Sequence, residues 1–151
     1  MKILFMSDSH NHFSLLVEMM EREKPERVFA MGDYTKDFEE LSYLYSEIPF
    51  EIVKGNCDFW DHHFSEEKLV LLKGKRIFLT HGHLYGVKSS YDSLRQMGKN
   101  MKCDIILFGH THREYFEKKE IILANPGAAQ DGKYGILNIE NTKVEIILKR
   151  L

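Results

Sequence analysis

A chain of 151 residues that is 43% apolar and 29% charged has the length of one domain with a real core and an ordinary soluble composition. Its net charge of -2 leaves no basic footprint for long nucleic acid, although a small nucleotide or a short oligonucleotide stays compatible with it. The two cysteines, Cys57 and Cys103, do not form a disulfide framework, and no apolar run is long enough for a signal core or a bilayer span; both point to a cytoplasmic setting away from membranes.

Taken in order, Ile3 to Met6 is a continuous apolar run and predicts a central strand ending in Ser7-Asp8-Ser9-His10. A helix follows over Phe13 to Glu23, striped by Leu15, Leu16, Met19 and Met20, with Ser14 or Asn11 as cap. Pro25 closes the turn. Arg27 to Met31 is a second strand, ending in Gly32-Asp33. A second helix runs from about Asp37 to Ser46 with Phe38, Leu41, Leu44 and Tyr45 on one face, and Pro49 precedes a third strand, Phe50 to Val53. That strand ends in Gly55-Asn56-Cys57-Asp58. Strand–helix–strand–helix–strand argues for a parallel sheet with right-handed crossovers. Such sheets gather ligands outside the carboxyl ends of their strands, where each of these polar clusters falls.

The second half predicts more hairpins. Lys68 to Leu72 and Arg76 to Thr80 flank a tight turn at Gly74-Lys75, and the second strand runs into His81-Gly82-His83. A helix spans Ser89 to Met101, with Tyr91, Leu94, Met97 and Met101 spaced for a buried face. Ile105 to Phe108 is an apolar strand that exits sharply at Gly109 into His110-Thr111-His112. Beyond it, Glu114 to Lys118, Ile121 to Ala124, Tyr134 to Ile139 and Val144 to Leu148 predict short strands of a second, mainly antiparallel sheet. The expected fold is α/β, a single domain over residues 1–151 with two mixed sheets sandwiched between helices.

Five strand ends therefore present Asp8 with His10, Asp33, Asn56, His81, and His110 with His112. In extended backbone, residues two apart point the same way, so the Asp8/His10 and His110/His112 pairs are each expected to face one pocket. Seven mixed N/O donors exceed what one ion takes. Two divalent ions sharing a carboxylate would use them all, and Asp33 is the natural bridge. A donor set without thiolate suits Mn²⁺, Zn²⁺, Fe²⁺ or Ni²⁺, with Mn²⁺ the first expectation.

Asp8-Ser9-His10, Gly32-Asp33, Gly55-Asn56-Cys57-Asp58, His81-Gly82 and Gly109-His110-Thr111-His112 stand in one order. In that order they resemble the motifs of the calcineurin-like metallophosphoesterases, in the style of the small bacterial and archaeal phosphodiesterase branch. Asn125-Pro126-Gly127 extends the likeness. The resemblance implies a metallophosphoesterase-like αββα sandwich and two metal ions. Asp8, His10, Asp33 and His112 would hold the first, and Asp33, Asn56, His81 and His110 the second. It further implies hydrolysis of a small phosphodiester through a metal-bridging hydroxide, with the ions ~3.5–4 Å apart. The same fold serves as a protein-interaction scaffold in a retromer coat subunit, which is the alternative expectation. Homo-oligomer formation is left open. Two positions depart from the family pattern: Cys57 replaces a phosphate-facing His, and Ala128 replaces the Ser after Pro-Gly.

Asp58 is read as a turn or catalytic residue, and His83 as lining the substrate mouth and entering catalysis beside Asp33 and Asn56. His12 belongs to the turn before the first helix, while His62 and His63 lie in a solvated loop. Phe59 and Trp60 are expected to pack under their loop rather than form a stacking edge. Arg113 is within reach of a phosphate, and Lys88, Arg95, Lys99 and Lys102 read as the wet face of a helix.

Overall fold

The N-terminal apolar run becomes β1 (Lys2–Met6), with Ile3, Leu4, Phe5 and Met6 all buried because both faces of the strand are covered. In the computed structural model, which describes residues 1–151, β1 is the middle strand of a five-stranded sheet. On one side it pairs in parallel with β2 (Arg27–Ala30), which pairs in parallel with β3 (Phe50–Ile52). The crossovers are α1 (Phe13–Glu23) and α2 (Thr35–Leu44).

The second sheet takes β4 (Glu67–Leu72), β5 (Lys75–Thr80), β6 (Ile105–Leu107), β7 (Glu114–Lys118) and β8 (Ile122–Pro126), in the spatial order β4-β5-β6-β8-β7. The β4–β5 and β7–β8 pairs are antiparallel, whereas β5, β6 and β8 run parallel. The last two strands, β9 (Lys133–Glu140) and β10 (Lys143–Arg150), leave this sheet and complete the first one, β9 pairing antiparallel with β1. The expected second sheet of four late strands is thus divided. The reason is burial: Tyr134 and Ile136 on one face of β9 join the core under α1 and α2, while Leu137 and Ile139 join the core between the sheets. A strand apolar on both faces fits a central position, not an edge.

Three cores define four layers. Leu4, Met6, Val28 and Ala30 meet Leu16, Met19, Met20, Phe38 and Leu41 of the first two helices. Ile3, Phe5, Phe29 and Met31 meet Ile77, Leu79, Ile105 and Leu107 across the gap between the sheets. Phe78, Ile106 and Leu123 meet Leu94 of α3 (Asp92–Asn100) on the outer face.

The helix ends correct the local reading. α1 follows His12 with no side-chain cap, and Asn11 instead donates its backbone N–H to Asp37 Oδ2 at 2.8 Å. α2 begins at Thr35 because Asp58, from the loop after β3, accepts the N–H groups of Tyr34 (2.8 Å) and Thr35 (3.0 Å). It ends before Tyr45, leaving Leu44 59% exposed rather than on the buried face. α3 starts late, after Ser90 Oγ accepts the Asp92 N–H at 3.1 Å, and Met101 falls beyond its end on the surface.

Candidate metal centre

The carboxyl ends of β1, β2, β3, β5 and β6 converge on one spot, so the two sheets both supply it. The chain leaves β1, β2 and β6 in strained backbone: Asp8, His10, Asp33, His110 and His112 all have positive φ, between 42° and 70°. Extended geometry, the expected reason for the pairs to face one pocket, is therefore not the cause. Left-handed turns bring the side chains together, a conformation that L residues hold only where the surroundings enforce it. Two glycines allow the turns to approach. A Cβ on Gly109 would lie 1.9 Å from Ser7 Oγ, and one on Gly55 2.2 Å from Asp33 Oδ1.

Asp8 is fully enclosed, its side chain 0% exposed. Its Oδ2 accepts the Ser7 hydroxyl at 2.6 Å and the His110 N–H at 3.1 Å. Its Oδ1 has no hydrogen-bond partner, and neither does the buried His10 Nε2. That oxygen lies 3.1 Å from His112 Nε2 and 3.8 Å from both His10 Nε2 and His81 Nε2. Asp33 Oδ2 sits between the same imidazoles, 3.6 Å from His10 Nε2 and 3.4 Å from His81 Nε2, while its Oδ1 accepts the Cys57 N–H at 2.9 Å. His81 Nδ1 is 2.6 Å from the Met31 carbonyl, to which it can only donate; this turns Nε2 toward the carboxylates. His110 Nδ1 faces that Nε2 at 3.2 Å.

The charges follow from this packing. Burial raises the Asp8 carboxyl, but the imidazoles of His10, His112 and His81 that face it outweigh burial, leaving the group far below the usual carboxylate range. Asp33 is likewise lowered against its burial, chiefly by His81. His110 is pushed down to about 4 by burial and by the positive neighbours His81 and Lys88. Buried, unpartnered oxygen and nitrogen atoms aimed at one another need an explanation, and a divalent cation between them supplies one. Asp8, His10 and His112 converge as one donor group, Asp8, Asp33 and His81 as a second, and His10, Asp33 and Cys57 as a third. The donor set fits divalent ions.

The other candidates are distributed around this centre. Asn56 is exposed, its amide nitrogen 3.8 Å from Cys57 Sγ. Asp58 is buried and gives its oxygens to the amides of Tyr34, Thr35 and Gly55, which makes it a brace between two ligand-bearing loops rather than a group free to move protons. His83 has a ring 5.6 Å from that of His81 and a buried, unpartnered Nδ1. His62 and His63 are exposed. Phe59 and Trp60 do not pack under the loop: they are 80% and 55% exposed, whereas their neighbour Asp58 is buried. Lys88 lies in the turn ahead of α3, not on it, and lines a cavity with Thr111 and Arg113.

Two bracing residues went unrecognised as such in the sequence. Asp37 was read only as a helix start, yet its Oδ2 accepts Ser9 Oγ–H at 2.7 Å and fixes the loop between Asp8 and His10. Gln130, 3.4 Å from His112 Nδ1, carries no sequence signal at all. Asn125, noted within Asn-Pro-Gly, donates to the Gly109 carbonyl at 2.9 Å and so holds the histidine turn.

The sequence profile described as the calcineurin-like phosphoesterase superfamily domain matches residues 1–142. Probable metallophosphoesterase YsnB of Bacillus subtilis is 31% identical over 153 residues, covering 93% of this chain and 86% of the relative. Phosphodiesterase MJ0936 of Methanocaldococcus jannaschii is 29% identical over 145 residues, covering 84% and 83%. A Zn²⁺ complex of Vps29 from Entamoeba histolytica superposes with a TM-score of 0.80 at 18% identity, covering 100% of this chain and 98% of that one, a likeness of fold. The chain belongs to the calcineurin-like phosphoesterase superfamily.

Proposed function

We propose that the protein is a dinuclear metal-dependent phosphodiesterase for small phosphodiesters. Asp8, His10, Asp33 and His112 would hold one divalent ion, and Asp33, Asn56, His81 and His110 the other. The observation that carries this reading is the pair of buried, unpartnered atoms Asp8 Oδ1 and His10 Nε2, set among Asp33, His81 and His112. Divalent ions bound there supply Lewis acidity toward phosphoryl oxygens and a nucleophilic hydroxide at neutral pH. The chain's own residues do the positioning. Asp33 Oδ2 faces both His10 and His81, the Met31 carbonyl orients His81, and Asp58 ties the Asp33 and Asn56 loops together. His83 stands beside the centre, its ring 5.6 Å from that of His81. Oxygen and nitrogen donors without thiolate accommodate Mn²⁺, the ion we take first, and equally Zn²⁺, Fe²⁺ or Ni²⁺. Relatives named phosphodiesterase support the diester class.

A scaffold without catalysis on the same fold is the rival reading; the crowding of donors around orphaned buried atoms favours chemistry over it. Elemental analysis of the purified protein, with hydrolysis of a phosphodiester panel before and after chelation, decides between them. Bound metal, activity lost on chelation and restored by Mn²⁺ are the expected results. Full hydrolysis by exhaustively metal-free protein would reject the proposal, and metal-loaded protein inert to every diester would leave the scaffold.

A further inference from the structure

Two cavities near the candidate centre differ in chemistry. One, of about 390 Å³, is lined by His10, Tyr34, Cys57, Asp58, Phe59 and Trp60. His10 and Cys57 belong to one of the converging donor groups, so the cavity begins at the centre itself. Its outer wall is aromatic. Phe59, Trp60 and Tyr34 are all large rings left exposed, and the Tyr34 ring stands edge-on to His10 with centroids 5.3 Å apart. Asp58 adds no charge to the free surface, since its oxygens accept three backbone amides. The other, of about 360 Å³, is lined by Val87, Lys88, Tyr91, Thr111 and Arg113 and carries two cations.

A diester whose phosphorus lies over the centre sends an ester arm away from it. An uncharged, planar arm makes no ion pair with Lys88 or Arg113, but can lay its face against the three exposed rings of the first cavity. A volume of this size is typical of small-molecule sites. Resting on the phosphodiesterase reading above, we infer that the substrate carries a planar nucleobase-like group on one ester arm, and that this group stacks in the Tyr34–Phe59–Trp60 cavity. Base–aromatic stacking is worth about 1–3 kcal/mol per base, which is roughly 5- to 150-fold in affinity.

Trp60 is the single tryptophan of the chain, so its fluorescence reports the cavity directly. The test titrates Mn²⁺-loaded protein with AMP and with ribose 5-phosphate, which has the same phosphate and sugar without the base. AMP is expected to bind roughly 5- to 150-fold more tightly and to quench Trp60. Phe59→Ala, a change at an exposed side chain, should collapse that ratio, as should Trp60→Leu followed by calorimetry. Equal affinity for the two ligands, with Trp60 unperturbed, would overturn the inference while ribose 5-phosphate binding kept the phosphoester reading alive. Failure of both ligands to bind would sink that reading as well. A preference for AMP without quenching, and indifferent to Phe59→Ala, would put the base in the other cavity and also overturn the inference. So would a change in particle mass on Phe59→Ala with no preference for AMP, which would make the rings a contact between copies.

Discussion

Asp33 offers its two oxygens to different neighbours, Oδ2 to His10 and His81 and Oδ1 to the Cys57 amide. A shared donor should therefore matter to both proposed ions, whereas Asn56, at the rim, should matter to one. Asp33→Ala is expected to retain far less metal than the native protein, and Asn56→Ala about half its complement, by elemental analysis; equal contents would contradict the bridging role. Cys57 invites a second residue-scale test. The side chain is exposed, yet partial desolvation and the neighbouring Asp33 carboxylate push its thiol up to about 11, so at neutral pH it is uncharged. It is poorly suited to protonate a leaving group, help typically worth ~10²–10⁴-fold. Hydrolysis rates should fall steeply as leaving-group pKa rises across aryl and alkyl diesters. Cys57→His should flatten that dependence and Cys57→Ser leave it nearly unaltered, while a shallow native slope indifferent to both changes would remove Cys57 from the mechanism.

At the scale of elements, the C-terminal end of α1 is fastened to the first sheet through Glu23. Its carboxylate accepts Lys149 Nζ at 2.5 Å, Tyr134 OH at 2.7 Å and Lys2 Nζ, from β10, β9 and β1. Burial raises this group, but those three partners outweigh burial and hold it at about 2 instead of 4.5. A lowered carboxyl pKa stabilises the fold above the unfolded value and ceases to do so as pH falls through the folded one. The contribution, on the order of 3 kcal/mol, is thus complete above pH 4.5 and disappears toward pH 2. Glu23→Gln should lower the urea midpoint at pH 7, and the native and variant curves should converge as pH drops from 4.5 to 2. Curves that stay parallel across that range would place the effect in packing rather than charge.

For the molecule as a whole, charge sets what can be held at long range. A net charge of -2 with the two cations of the second cavity confined to one rim gives few phosphate contacts along a duplex. Since log affinity falls with log salt at about 0.9 per phosphate neutralised, binding to long duplex DNA should be weak and its salt slope shallow. A filter-binding series at several salt concentrations checks this, and tight binding with a steep slope would point to a nuclease instead.

The strand–helix alternation, the five polar strand ends and the family resemblance were legible in the sequence because apolar periodicity is local and the motifs are short and ordered. The buried run Ile105 to Leu107 and its exit at Gly109 needed no tertiary information. Other features depended on contacts far apart in the chain. α2 takes its start from Asp58, 23 residues past Thr35, and no local capping rule reaches that far. β9 joined the first sheet because its two faces fit two different cores, which an alternation count over one strand cannot reveal. The donors met through left-handed turns braced by Asp37, Asn125 and the Met31 carbonyl, not through extended backbone, since strain of that kind is sustained only by the folded surroundings. Local apolar runs place these residues at the strand ends; long-range contacts set which way they point, and leave Phe59 and Trp60 in the open beside a buried Asp58 that accepts three backbone amides.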